Sequence, residues 1–183
     1  SSGQMGYAIA AEACRRGHEV TLISGPVQIA PPEGVEVVNV VSAADMAEAV
    51  KSRFPMCDCC IMSAAVADYR PVTVSNKKIK KSDDDLILHL ERTEDILKTL
   101  GTMKNAQQIL IGFAAETDDL EANALAKLKK KNLDWIAANT VSDGFGTDTD
   151  TVILLGKNGE KITIGPDSKQ NVARRLIEIT TGK

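Results

Sequence analysis

A chain of 183 residues is long enough for one domain with a sizeable core, and 43% hydrophobic against 26% charged residues excludes a disordered chain. No apolar run approaches the roughly 18 residues that cross a bilayer. The formal charge of -3 excludes a general nucleic-acid binder, which needs a basic surface to displace counterions from phosphates.

The chain opens in a glycine turn, Ser1-Ser2-Gly3-Gln4-Met5-Gly6. A strand normally feeds such a turn, so one is expected upstream of residue 1, with the chain a fragment of a longer protein. Small and apolar residues at helical spacing predict a helix over 5–16, closed by Gly17 where a left-handed cap is wanted. A β-branched run over 18–24 reads as a strand, as does 35–41, and 43–53 reads as an amphipathic helix. The continuous apolar run 58–65 is of the kind buried in parallel sheets. Cys57, Cys59 and Cys60 lie in or beside that run and Cys14 lies apart, without metal-ligand spacing. Buried free thiols are expected, and with no signal peptide they suit the cytoplasm.

Residues 66–90 break the rhythm: a lysine-rich stretch over 76–85 precedes a short alternating strand over 86–90, which reads as an insertion or flap. Regularity returns with a helix over 93–104 capped by Thr93, a strand over 108–114, a helix over 118–131 and a strand over 135–138. Strands over 152–155 and 161–164 flank Asn158-Gly159, the signal for a type I′ hairpin, and a helix over 168–180 closes the chain. This order predicts an α/β fold: a Rossmann-like, doubly wound, mainly parallel sheet with an antiparallel hairpin at one edge. The expectation is one domain over 1–183 with an insertion at about 70–92, binding ligands at the carboxyl ends of its strands.

Several segments carry candidate chemistry. Backbone N–H groups at the start of the first helix suit an anion, although a structural tight turn explains Gly3 and Gly6 as well. A dinucleotide fingerprint would place glycine at Ser1 and an acid where Ile23-Ser24-Gly25 stands. The run Ala64-Ala65-Val66-Ala67-Asp68-Tyr69-Arg70 delivers an acid, a phenol and a guanidinium at a strand end, or simply an Asp68–Arg70 pair capping the strand. A short-chain dehydrogenase would need lysine where Thr73 stands. Four lysines in Lys77-Lys78-Ile79-Lys80-Lys81 fit a lid over phosphates or a solvated loop neutralised by Asp83, Asp84 and Asp85. Phe113, among small residues in Gly112-Phe113-Ala114-Ala115-Glu116-Thr117, suits the wall of a base site, and Lys127 and Lys131 share one helix face, as a basic surface would also have them.

Taken in order, five blocks resemble the bacterial phosphopantothenate cysteine ligase family: Ser-Ser-Gly-x-Met-Gly at 1–6, Ala-Ala-Val-Ala-Asp-Tyr-Arg at 64–70, Lys-x-Lys-Lys at 78–81, Gly-Phe-Ala-Ala-Glu-Thr at 112–117, and Lys-x-x-x-Lys-Asn-x-Asp at 127–134 with Ala-Asn at 138–139. The resemblance covers essentially the whole chain. It implies that CTP activates 4'-phosphopantothenate to an acyl cytidylate with loss of pyrophosphate, and that the cysteine amine then displaces CMP. It also implies CTP contacts at Met62, Ser63, Ala64, Asp68, Lys78, Glu94, Asp95, Ile96, Leu97, Phe113, Lys127 and Lys131, with Ser1, Ser2 and Gly3 at the helix start. Glu94 to Leu97 stand where the family has an Asn-Pro-Asp-Ile-like segment. Lys78, Lys80 and Lys81 would form a catalytic flap, and Mg2+ would be held through nucleotide phosphates, with no dedicated protein cage. An asparagine that the family carries two residues before its Ser-Ser-Gly lies outside this sequence. Further implications are a homodimer built through the 70–92 stretch and a flavin-dependent decarboxylase domain upstream, while charge and hydropathy leave no nucleic-acid or membrane partner expected. The rival readings are an NAD(P)-dependent Rossmann oxidoreductase and a non-catalytic nucleotide-binding module.

Overall fold

The structure is a computed structural model that describes residues 2–80, 85–116, 119–140 and 149–182. A central sheet runs in the order β3 (Cys59–Met62), β6 (Ile109–Glu116), β7 (Trp135–Thr140), β8 (Thr149–Gly156), β9 (Lys161–Ser168). The pairs β3–β6 and β6–β7 are parallel, and β8 alone runs against its neighbours, so the sheet is mainly parallel with an antiparallel edge as expected. Two smaller pairs accompany it: β1 (Thr21–Ser24) beside β2 (Glu36–Asn39), parallel, and β4 (Tyr69–Pro71) against β5 (Leu90–Arg92), antiparallel.

Helices cover both faces of the central sheet. On one face α2 (Ala43–Arg53), α3 (Ile96–Met103) and α4 (Leu120–Lys130) bury Met46, Val50, Ile96, Leu100, Ala124 and Leu128 against Leu110, Ala114, Ile136 and Ala138. On the other, α1 (Gln4–Arg15) and α5 (Lys169–Thr181) bury Ile9, Val172, Leu176 and Ile177 against Ala137, Val152, Leu154 and Ile164. Side chains alternate across each strand, so β6 and β7 feed both apolar layers.

Local rules explain several boundaries. Gly17, at φ +85°, ends α1 with a pair of bonds in which its own N–H donates to the Cys14 carbonyl and His18 N–H to that of Ala13, satisfying two orphan carbonyls. The helix predicted over 43–53 forms with those bounds because Ser42 and Asp45 cap each other's backbone N–H groups. Four expectations are corrected. The cap of α3 is Asp95, which accepts from Lys98 N–H, while the Thr93 hydroxyl donates to the Ala67 carbonyl. Residues 86–89 are not strand; the short pair forms later, between Tyr69–Pro71 and Leu90–Arg92. Arg70 pairs with Glu91 at 2.7 Å instead of Asp68. At the β8–β9 turn Gly159 has φ +94° but Asn158 does not share a positive φ, so the turn is not type I′. Gly159 N–H instead donates to the Gly156 carbonyl, closing a type I turn followed by a left-handed glycine.

The four cysteines are free and half-buried rather than fully buried. Burial pushes the Cys59 and Cys60 thiols up to about 12, so both stay protonated at neutral pH.

Candidate functional site

Strand β3 ends at Met62, where elements from both faces of the sheet meet it. Gly6 of α1 lies so close that a Cβ there would come within 2.8 Å of the Ser63 hydroxyl oxygen, which brings the start of the first helix to the strand end. Gly3 opens α1 in a left-handed conformation, φ +79°, and a Cβ there would meet Val27 at 2.8 Å. Met62 pairs in register with Gly112 of β6. Glycine is required at 112 because Leu97 and Leu133 approach to where a Cβ would stand, at 2.7 and 2.9 Å. Phe113 points to the opposite face, packing with the layer that holds Met5 and Ala8.

The segment Glu94 to Leu97 is fixed by side chains from elsewhere in the chain. Lys51 of α2 binds Glu94 at 2.7 Å and holds its carboxyl below the ordinary range. Lys131, just past α4, binds Asp95 at 3.0 Å. Burial raises the Asp95 carboxyl, and the bonds from Lys131 and from Lys98 N–H outweigh it, leaving the group lowered on balance. Ile96 is buried beside Leu97. Thr93 N–H donates to the Asp68 carbonyl at 2.9 Å, tying the exposed Asp68 to the same segment. Lys127 lies one turn before Lys131, whose N–H donates to the Lys127 carbonyl at 3.0 Å.

The structure thus links Met62 to Leu97 through Gly112, Ser63 to the start of α1 through Gly6, and Asp95 directly to Lys131, while Gly3 neighbours Val27 and Ala64 is exposed just past the strand end. Ser2 is exposed ahead of the helix. Lys78 and Lys80 stand apart on the exposed stretch between β4 and β5, in no ion pair among the described residues. Ser1 and Lys81 lie outside the described residues, as do Asp83 and Asp84.

Two cavities flank the cluster. One of about 400 Å³ is lined by Tyr7, Ser24, Gly25, Val27, Ile29 and Val40, among others, with Val27 against Gly3. The other, of about 710 Å³, lies between α2 and the β4–β5 pair and includes Lys51, Arg70, Arg92, Thr93 and Glu94. Neither is lined by Gly3, Asp68, Phe113 or Lys127, so the expected single pocket around these four residues is formed by neither cavity. Sequence reading missed Lys51 and Tyr7, whose hydroxyl lies 2.9 Å from that of Ser24. Lys51 and Glu94 are 43 positions apart, and nothing in the local pattern links them.

Comparison with known proteins adds a lineage. The model of the DNA/pantothenate metabolism flavoprotein C-terminal domain matches residues 1–182. The "Coenzyme A biosynthesis bifunctional protein CoaBC" of Bacillus subtilis (strain 168) is 48% identical over 182 residues, covering 97% of this chain and 45% of the relative. A "Cysteine/Cysteine sulfinic acid decarboxylase" from an unknown prokaryotic organism is 44% identical over 181 residues, covering 97% of this chain and 50% of the relative. The chain thus spans about half the length of the curated relatives it matches. Among solved structures, the C-terminal domain of a CoaBC protein superposes with a TM-score of 0.84 at 46% identity, covering 98% of this chain and 81% of that one. A DNA/pantothenate metabolism flavoprotein from Streptococcus pneumoniae, at 24% identity and TM-score 0.85 over 100% of this chain and 89% of that one, shares the fold.

Proposed function

We propose a function from a single premise: this chain belongs to the family of DNA/pantothenate metabolism flavoprotein C-terminal domains. It acts as a phosphopantothenate cysteine ligase of coenzyme A biosynthesis, using CTP to activate the substrate carboxylate before cysteine captures the acyl group. The observation that carries this reading is that the end of one parallel strand, at Met62 and Ser63, has the start of α1 beside it at Gly6 and the start of α3 beside its partner Gly112 at Leu97, with Lys131 bonded to the α3 cap Asp95. The two named relatives bear different names and are each matched over only about half of their length, so a relative's name alone does not select the reaction, and the site must.

In this reading Met62, Ser63 and Ala64 form the shelf for the nucleotide, Glu94 to Leu97 face it from the start of α3, and Phe113 backs it. Lys127 on α4 and Lys131 just past its end supply positive charge, and Asp68 closes the rim. Lys78, Lys80 and Lys81 are taken as the flap over the triphosphate, where an ammonium offsets charge that develops at the transferring phosphorus. Among the described residues no three His, Cys, Asp or Glu side chains gather to hold a metal ion. In this reading magnesium is carried on phosphate oxygens and water, where it neutralises triphosphate charge.

Titration calorimetry on the full chain tests the nucleotide. CTP is expected to bind in the micromolar range usual for substrates, with NADPH giving no heat; the reverse result establishes the oxidoreductase reading. Pyrophosphate release that depends on both CTP and 4'-phosphopantothenate separates the enzyme from a binding module.

The reading includes a homodimer, a cytoplasmic setting and a fused upstream decarboxylase domain. Support for the dimer comes from the β4–β5 stretch, where Val74, Ile79, Leu86, Ile87 and Leu88 are 60–79% exposed, an apolar surface that soluble monomers rarely leave open. No helix among the described residues is long and apolar enough to cross a membrane. Replacing Leu88 by aspartate is expected to halve the mass measured by light scattering; an unchanged mass removes this stretch from the interface.

A further inference from the structure

Helix α3 ends with carbonyl groups that have no donor inside the helix, and one of them is answered from another part of the chain. Leu100 O takes the Lys104 N–H, whereas Gly101 O accepts the side-chain amide of Asn132 at 2.8 Å. Asn132 follows α4 with φ +53°, a left-handed conformation that asparagine tolerates better than most residues. Its predecessor, Lys131, rests its carbonyl directly against Gly101, where a Cβ would collide with backbone. The Lys131 ammonium extends back along α3 to the cap residue Asp95. Two consecutive residues thus grip α3 at both ends: Lys131 by its ammonium at the start, Asn132 by its amide near the finish.

From this geometry, and resting on the reading of Lys131 and Asp95 to Leu97 as nucleotide contacts, we infer that Asn132 and Gly101 are positioning residues that set Lys131 relative to α3. Without the amide bond, the backbone at 131 loses its fixed place on α3, and the ammonium loses the preorganisation that makes it effective toward a phosphate. Asn132 touches no substrate in this scheme; it acts through Lys131.

A double-mutant cycle on the full chain reads this out. Asn132→Gly keeps the left-handed backbone accessible and deletes only the amide, and it is expected to weaken CTP binding about fivefold, the equivalent of one hydrogen bond. The KM for cysteine should not change. Lys131→Met weakens CTP by itself, and adding Asn132→Gly to it should weaken CTP no further, because the two act as one unit. Multiplicative losses in the double variant, or a lower melting temperature for Asn132→Gly with unchanged CTP affinity, overturn the inference while leaving the nucleotide site standing. Full CTP affinity in Lys131→Met instead removes Lys131 from the nucleotide site and takes the inference with it.

Discussion

Replacing Asp134 by alanine is expected to destabilise the fold by about 3–5 kcal/mol, the usual result of removing one partner from a buried ion pair. The Asp134 carboxylate accepts three bonds: from Lys104 Nζ at 2.8 Å, from Lys157 Nζ at 2.6 Å and from Leu110 N–H at 2.8 Å. Only 8% of the Lys104 side chain is exposed, so alanine leaves a buried ammonium without its counter-charge and a buried N–H without an acceptor. Lys157 is 54% exposed and solvent screens it, so Lys157→Ala is expected to cost less than about 1 kcal/mol. Urea unfolding of the two variants measures the contrast; equal losses remove the buried Lys104 partner as the cause. The same site sets a pH dependence. Burial raises the Asp134 carboxyl, and the bonds from Lys104, Lys157 and Leu110 N–H outweigh it, so the folded group sits below its ordinary value. A lowered acid stabilises the fold above its unfolded pKa, roughly 4, and this contribution is lost as pH falls through the folded value. Acid unfolding of Asp134→Asn should accordingly show a shallower slope below about pH 4 than the parent.

The second large effect falls on chemistry. Lys78→Gln is expected to slow pyrophosphate release from CTP and 4'-phosphopantothenate by about 10²- to 10³-fold, the range for losing one preorganised charge at a transition state. The melting temperature should not move, because Lys78 is exposed and bears on no core contact. Binding of CTP should weaken far less than turnover falls, since a flap ammonium that closes late acts mainly on the transition state. Unchanged turnover removes Lys78 from the mechanism and makes the lysine run a solvated loop.

Local patterning carried a good part of the fold. Small and apolar residues at helical spacing announce α1, the amphipathic pattern over 43–53 announces α2, and the β-branched and apolar runs announce β1 and β3. Errors arose where two distant segments decide the outcome. Tyr69–Pro71 reads as loop because three residues containing a proline carry no strand signal, yet Leu90–Arg92 pairs with it in register. Thr93 reads as a cap, but its hydroxyl donates to the Ala67 carbonyl and Asp95 assumes the role. At the site, motif order was legible but contacts were not: Lys51 with Glu94, Asn132 with Gly101 and Lys131 with Asp95 each join positions more than 30 apart. Such pairings depend on where the sheet brings the helices, and no short window of sequence contains that information.

The sharing of β6 and β7 between two apolar layers has a consequence for how the molecule opens. Ile136 and Ala138 face one layer and Ala137 the other, so neither set of helices can leave without uncovering a strand that the remaining set still needs. Both halves of the interior then belong to one cooperative unit. Amide protons along 136–138 would exchange with deuterium at a common, slow rate governed by global unfolding, whichever side their residues' side chains occupy.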